Sequence, residues 1–218
     1  MRSSLTKILV FVVSFFVLNL AYSQAKVEIN IGIYAPFANE NSIVGRTLLV
    51  TLEALRDQIN AQGINYTFYT LDQLPANQDA VKTIEKFVAA HQIKVLLTEG
   101  TRDGMFIAPI AKSSHFLHLN VGGDPKIEDG TNTFATLSPE FTKDMQQLLS
   151  LKHKMSENLD LDTLVAVQKL IKKLEANPQI FQLFQLLNQS VIQAVKQDSH
   201  CSSQQIAMQL QALSSKQA

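Results

Sequence analysis

Short runs of β-branched and aromatic residues alternate with segments of helical periodicity from Val27 to Leu137. This alternation is typical of crossover units, in which a helix returns the chain to begin a strand parallel to the previous one. Right-handed crossovers place helices on both faces of such a sheet. The sequence therefore predicts an α/β fold with an open, mostly parallel five-stranded sheet and helices on both faces.

The pattern also gives approximate bounds for the elements. The predicted strands are Val27–Tyr34, Asn65–Leu71, Ile93–Thr98, Phe116–Asn120 and Thr133–Leu137. The helices between them are expected at 43–62, at 78–91 with Asn77 as cap, and at 103–113. Because Pro109 removes an interior hydrogen bond, the third helix should be kinked or short.

No further β-type run follows Pro139, and the chain becomes glutamine-rich and helical in pattern. Helices are expected at about 141–155, 161–174, 180–195 and, more weakly, 203–213. The domain organisation that follows is a leader at 1–23, an α/β lobe at 24–140 and a helical C-terminal tail at 141–218.

The first residues have the pattern of a secretory signal peptide. Arg2 and Lys7 precede an apolar run, Ile8–Leu20, and the small-residue pattern Ala21-Tyr22-Ser23 follows it. The run is shorter than the roughly 20 residues of a bilayer span, so a retained anchor is the less favoured alternative. We expect cleavage after Ser23, a periplasmic or secreted protein, and no stable membrane insertion after cleavage.

Charge and cysteine content exclude some partners. The 19 basic and 19 acidic residues cancel, which argues against nucleic acid and favours a neutral or zwitterionic partner. Cys201 is the single cysteine of the chain, so an intramolecular disulfide is excluded. An intermolecular disulfide through Cys201 remains an alternative to a free thiol.

Catalytic, metal and cofactor motifs are missing from the sequence. His115 and His118 lie three residues apart around a predicted strand, which disfavours a shared metal ion. No serine lies in a Gly-x-Ser-x-Gly elbow, and Gly32 lacks the glycines of a dinucleotide-binding loop. We therefore expect a protein that is not an enzyme and that needs neither a metal nor a cofactor.

Several segments resemble one family in the order of their landmarks. The segments are Ile29–Phe37, Gln78–Val81, Val95–Thr101, Leu119–Pro125 and Asn132–Pro139. This succession resembles the N-terminal lobe of type 1 periplasmic solute-binding proteins, the leucine/isoleucine/valine-binding family of amino-acid transport. The resemblance implies a periplasmic-binding-protein-like lobe whose ligand lies beyond the carboxyl ends of the strands.

The resemblance also implies four ligand-binding residues, Thr101, Gly122, Gly123 and Asp124. Thr101 offers a hydroxyl, and the two glycines allow close approach to backbone N–H groups. Asp124 departs from the family pattern, because a carboxylate stands where the family has a hydroxyl. The implied ligand is a small polar molecule such as an amino acid or peptide.

Each of these residues also has an interpretation without a ligand. Gly122 and Gly123 are typical of a turn that needs positive φ, and Thr101 or Asp103 can cap the following helix. The loop interpretation and the capping interpretation are both open from sequence.

The resemblance covers one lobe, so the expected ligand contact is one-sided and weak, of millimolar order or about −4 kcal/mol. An alternative function is a cell-envelope interaction or assembly protein, with an envelope partner or a homodimer. The tail has an apolar stripe that includes Phe181, Phe184 and Leu187, which either packs on the protein's own core or binds a partner.

Overall fold

The computed structural model describes residues 27–38, 42–59, 64–136, 143–144, 147–148, 150–151, 154, 160–175 and 178–215. The predicted signal peptide, its cleavage site and the anchor alternative lie outside the described residues. None of the helices in the described ranges is long and apolar enough to cross a bilayer.

The described chain forms a five-stranded sheet in which every pairing is parallel. The strands are β1 (Val27–Ala35), β2 (Ile64–Asp72), β3 (Val95–Glu99), β4 (Leu117–Val121) and β5 (Thr133–Thr136). Their order across the sheet is β2-β1-β3-β4-β5. This topology confirms the predicted α/β class, and each strand begins and ends within two residues of its predicted bounds.

Helices lie between the strands and after the last of them. They are α1 (Ser42–Ile59), α2 (Gln78–Ala90), α3 (Gly100–Ser114), α4 (Leu161–Glu175), α5 (Pro178–Gln197) and α6 (Ser203–Ser214). A short 3₁₀ turn, Pro125–Ile127, precedes β5. The described positions between 143 and 154 are helical, and the remaining residues of that predicted helix lie outside the description.

Two caps explain where helices begin. The Asn77 side chain accepts a hydrogen bond from the Ala80 amide, as predicted for α2. Ser202 and Gln205 form a reciprocal capping box at the start of α6. The sequence predicts α6 only weakly, because its apolar period is weak. The capping box is the stronger local signal for this helix.

Helix α3 is longer than predicted. It spans 15 residues and contains Pro109, which was expected to kink or shorten it. Pro109 and Met105 are both exposed, so the Met105 carbonyl that loses its partner faces water. The proline therefore costs little at this position, and the expectation of a short helix is wrong.

The first face of the sheet is covered by α1 and by helices of the C-terminal tail. Ile31, Leu97 and Leu119 share this core with Leu48 and Leu52 of α1 and with buried side chains of α4, α5 and α6. The tail side chains in this core include Val167, Leu170, Leu183, Phe184, Leu187, Val191, Ile206 and Leu210. The stripe residues Phe184 and Leu187 thus pack on the protein's own core, while the Phe181 side chain lies outside the description.

The second face of the sheet is covered by α2 and α3. Tyr34 and Leu96 pack there against Ile84 of α2 and Ile107 and Ile110 of α3. Burial on both faces explains why the strand sequences are continuous apolar runs and not alternations of apolar and polar residues.

Candidate functional site

The carboxyl edge of the sheet contains a topological switch point. From β1 the chain moves outward to β2 and then crosses back over β1 to β3, so the connections after β1 and β3 leave in opposite directions. Open α/β sheets bind ligands at such a crevice. The loop after β2, the start of α3 and the loop after β4 surround this edge.

The four residues implied by the resemblance all lie at this edge. The Asp124 backbone N–H donates a hydrogen bond to Thr101 Oγ1, with the two atoms 3.1 Å apart. Thr101 is exposed and Asp124 is half-buried. The contact joins the start of α3 to the loop after β4 over 23 residues of sequence.

The capping interpretation of Thr101 and Asp103 is wrong. The N-cap of α3 is Glu99, and no side chain caps the helix there. Thr101 lies within the first turn and accepts from Asp124, while Asp103 accepts from the Gln73 side chain. Both residues bind other loops instead of their own helix end.

The loop Gly122–Asp124 has a local structural role at each position. Gly122 has a φ of 72°, a conformation that favours glycine. A Cβ added to Gly123 would lie 1.6 Å from Asn120 Oδ1, so Gly123 is required by packing rather than by positive φ. The Asp124 side chain accepts from the Lys126 amide and begins the 3₁₀ turn.

Buried polar side chains form a series of hydrogen bonds beneath this loop. Asn120 Nδ2 donates to Thr98 Oγ1 at 2.7 Å and to the Gly100 carbonyl at 2.9 Å. Since Thr98 Oγ1 already accepts from Asn120, its own hydrogen is available to His118 Nε2 at 2.8 Å. In this arrangement Nδ1 carries the ring proton of His118 and faces Thr133 Oγ1 at 3.4 Å, whereas the other tautomer would make Nε2 the donor to Thr98.

His118 is neutral in this buried set of hydrogen-bonded side chains. Burial lowers the pKa of His118 to about 3, although the Asp129 carboxylate acts in the opposite direction. This buried hydrogen-bonded role explains a histidine that the sequence pattern had considered only as a metal ligand. No group of three or more metal-binding side chains occurs among the residues described here.

Two carboxyl groups, those of Glu99 and Asp103, lie near each other at this edge. Burial, together with the nearby charge of Asp103, raises the pKa of Glu99 to about 7. Asp103 is 7% exposed, and both of its oxygens accept from Gln73 Nε2, at 2.7 and 2.6 Å.

A cleft of about 310 Å³ opens between the loop after β2 and α3. Its lining consists of Gln73, Leu74, Pro75, Ala76, Arg102, Asp103 and Phe106. Sequence reasoning missed this cleft, because Gln73 and Asp103 are 30 residues apart and no motif links them.

The chain resembles solute-binding proteins of known structure at low identity. No protein-family model and no curated protein matches the sequence. A Rhodopseudomonas palustris solute-binding protein in complex with p-hydroxybenzoic acid is 12% identical at a TM-score of 0.43, over 80% of this chain and 52% of that one. A second from the same species, in complex with 4-hydroxybenzoate, is 12% identical at a TM-score of 0.43, over 68% and 44%.

An ABC transporter substrate-binding protein from Desulfitobacterium hafniense is 19% identical at a TM-score of 0.41, over 58% of this chain and 39% of that one. The chain thus spans between about two fifths and a half of the length of these three structures. These neighbours are solute-binding proteins of the type 1 periplasmic-binding fold.

Proposed function

We propose that this protein is a non-enzymatic, periplasmic-binding-protein-like protein that binds a small polar ligand, such as an amino acid or peptide, at the carboxyl edge of its sheet. The ligand-binding residues in this proposal are Thr101, Gly122, Gly123 and Asp124. Its location is the periplasm or the extracellular space, in keeping with the predicted signal peptide.

The observation that carries the proposal is the contact between Asp124 N and Thr101 Oγ1. It joins the segments after β3 and β4 into one surface at the carboxyl edge of the sheet, and Thr101 and Asp124 both retain solvent access. The helix α3 begins there without a side-chain cap, so its first backbone N–H groups face the same edge. Backbone donors and a hydroxyl together suit a polar head group.

The described residues provide one wall for such a ligand. A ligand that contacts one wall keeps much of its hydration, so we expect a Kd near 1 mM, about −4 kcal/mol. Affinity of this order suits sensing or buffering of an abundant solute better than high-affinity capture.

Titration calorimetry of the mature protein with amino acids and short peptides tests the proposal. A saturable signal that Thr101→Val weakens about threefold or more, with an unchanged melting temperature, would support it. Thr131→Val is a matched control, because Thr131 is an exposed loop threonine outside the proposed ligand-binding residues. Silence with every ligand up to about 10 mM would contradict the proposal.

The partner alternative has less support from the described residues. Leu183, Phe184 and Leu187 of the tail stripe are all buried against the sheet, so they do not form a free docking face. An envelope partner or a homodimer would therefore have to use other surfaces, and the calorimetric test does not depend on either.

A further inference from the structure

The cleft between the loop after β2 and α3 has the chemistry of a cation site. Two charged side chains line it, the Asp103 carboxylate, which is 10% exposed, and the Arg102 guanidinium, which is 80% exposed. The rest of the wall is largely apolar, formed by Leu74, Pro75 and Phe106. A buried carboxylate against an apolar wall is costly unless a cation or several hydrogen bonds compensate it.

The compensation within the described protein is partial. Gln73 Nε2 bridges both carboxylate oxygens, but the amide is neutral. The cation within ion-pair distance is Arg102, whose Nε lies 3.3 Å from one oxygen. The Arg102 side chain is 80% exposed, so solvent screens most of this attraction.

The walls of the cleft are held in place. The Tyr34 hydroxyl donates to the Leu74 carbonyl at 3.1 Å and accepts from the Leu74 amide at 2.9 Å, which fixes the loop after β2. Phe106 lies one turn after Asp103 on α3, so ring and carboxylate face the same space. The volume of about 310 Å³ lies at the lower end of the range for ligand cavities.

We propose that this cleft binds a small organic ammonium ion, with Asp103 accepting from the ammonium group and Leu74, Pro75 and Phe106 contacting its apolar body. A cation over the face of an aromatic ring gains further attraction. The site is separate from the edge surface, because Thr101 contacts the loop after β4 whereas Asp103 contacts the loop after β2.

Arg102 gives the proposal its sharpest test. An ammonium ion competes with Arg102 for Asp103, so removing the guanidinium should strengthen binding. A zwitterionic ligand would instead use Arg102 for its carboxylate, and the same substitution would weaken binding. Asp103→Asn should thus lower the affinity for an amine, whereas Arg102→Gln at the neighbouring position should raise it.

Chemical-shift titration of the full-length mature protein with 3-methylbutylamine measures this. We expect saturable shifts confined to residues 73–76 and 102–106, a loss of about tenfold or more in Asp103→Asn, and a gain of about two- to fivefold in Arg102→Gln. Phe106→Leu keeps an apolar wall and should lose about two- to fivefold. The uncharged 3-methylbutanol should bind at least tenfold more weakly than the amine.

The outcomes that would overturn the proposal are distinct. Equal binding of the alcohol and the amine would show an apolar site without cation recognition. Weaker binding of the amine in Arg102→Gln, or no saturable shift up to about 10 mM, would contradict it as well. Thr101→Val should leave amine binding unchanged, so failure of the edge-surface proposal can be recognised separately. If Asp103→Asn does not fold, Arg102→Gln and Phe106→Leu still decide the question.

Discussion

The hydroxyl of Tyr66 on β2 donates a 2.7 Å hydrogen bond to the side-chain oxygen of Asn188 on α5. This buried contact joins residues 122 positions apart, and the Tyr66 ring also packs at 5.4 Å from the ring of Phe184. Sheet and tail are therefore connected by polar and aromatic contacts at the same point.

The first prediction concerns this hydrogen bond. Tyr66→Phe keeps the ring but removes the donor to Asn188, which should lower the free energy of unfolding by about 1–2 kcal/mol. Tyr69→Phe is the control, since the Tyr69 ring stacks on His91 and no described contact uses its hydroxyl. Urea denaturation measures both, and equal midpoints for the two variants would contradict the prediction.

The second prediction tests the tail as part of the core. Leu187 of α5 is fully buried, so Leu187→Ala should lower the free energy of unfolding by about 2–5 kcal/mol. Gln189→Ala, two residues away and exposed, should change it by less than about 0.5 kcal/mol. A tail that acted as an independent module would show a loss of helix in Leu187→Ala while the sheet still unfolded at the wild-type urea concentration.

The strands could be predicted from the sequence because burial on both faces selects β-branched and aliphatic residues in continuous runs. Helix α2 could be predicted because Asn77 and the apolar period agree. Both signals are local, so a single sequence contains them. The order of the strands was not predicted, because the handedness of crossovers does not decide toward which edge of the sheet each crossover moves.

The candidate site could be predicted only in part. Thr101 and Asp124 were placed at one edge, but the contact between them depends on packing across 23 residues. Asp103 looked like a capping residue, because the local pattern cannot reveal Gln73 opposite it. The length of α3 was missed since the pattern does not show that Met105 and Pro109 face solvent.

The third prediction concerns the loop after β4. Gly123→Ala would place a methyl group against Asn120 Oδ1, so it should cost about 2–3 kcal/mol of unfolding free energy. In an Asn120→Ala background the obstacle is gone, and the same substitution should cost less than about 1 kcal/mol. A double-mutant cycle from urea denaturation measures the difference. Costs that simply add would show that Gly123 has another role.

The fourth prediction follows from Glu99. Burial raises its folded pKa to about 7 from an ordinary 4.5, so the folded state holds a proton that the unfolded state releases. This contribution is fully present below pH 4.5 and is lost as the pH rises through 7, by up to about 3 kcal/mol. Glu99→Gln should therefore be more stable than the wild type at pH 8, with little difference near pH 4.5. Glu28→Gln, at an exposed position, is the control for the loss of a charge. Parallel profiles of stability against pH for the wild type and Glu99→Gln would contradict the assignment.

The fifth prediction follows from His118, whose effect has the opposite sign. Its folded pKa is about 3 against an ordinary 6.5, so the unfolded state takes up a proton first as the pH falls. The contribution is complete above pH 6.5 and is lost toward pH 3, because burial disfavours the charged ring in the folded state while the unfolded state binds the proton.

Between pH 4.5 and 6.5 the two groups offset each other, so the wild-type stability should change little with pH in this window. Glu99→Gln should then show stability that rises with pH, whereas His118→Gln, which can still accept from Thr98 and donate to Thr133, should show stability that falls. Urea denaturation at half-unit pH steps measures the slopes. Slopes of the same sign in the two variants would mean that at least one of these side chains is not buried as the structure places it.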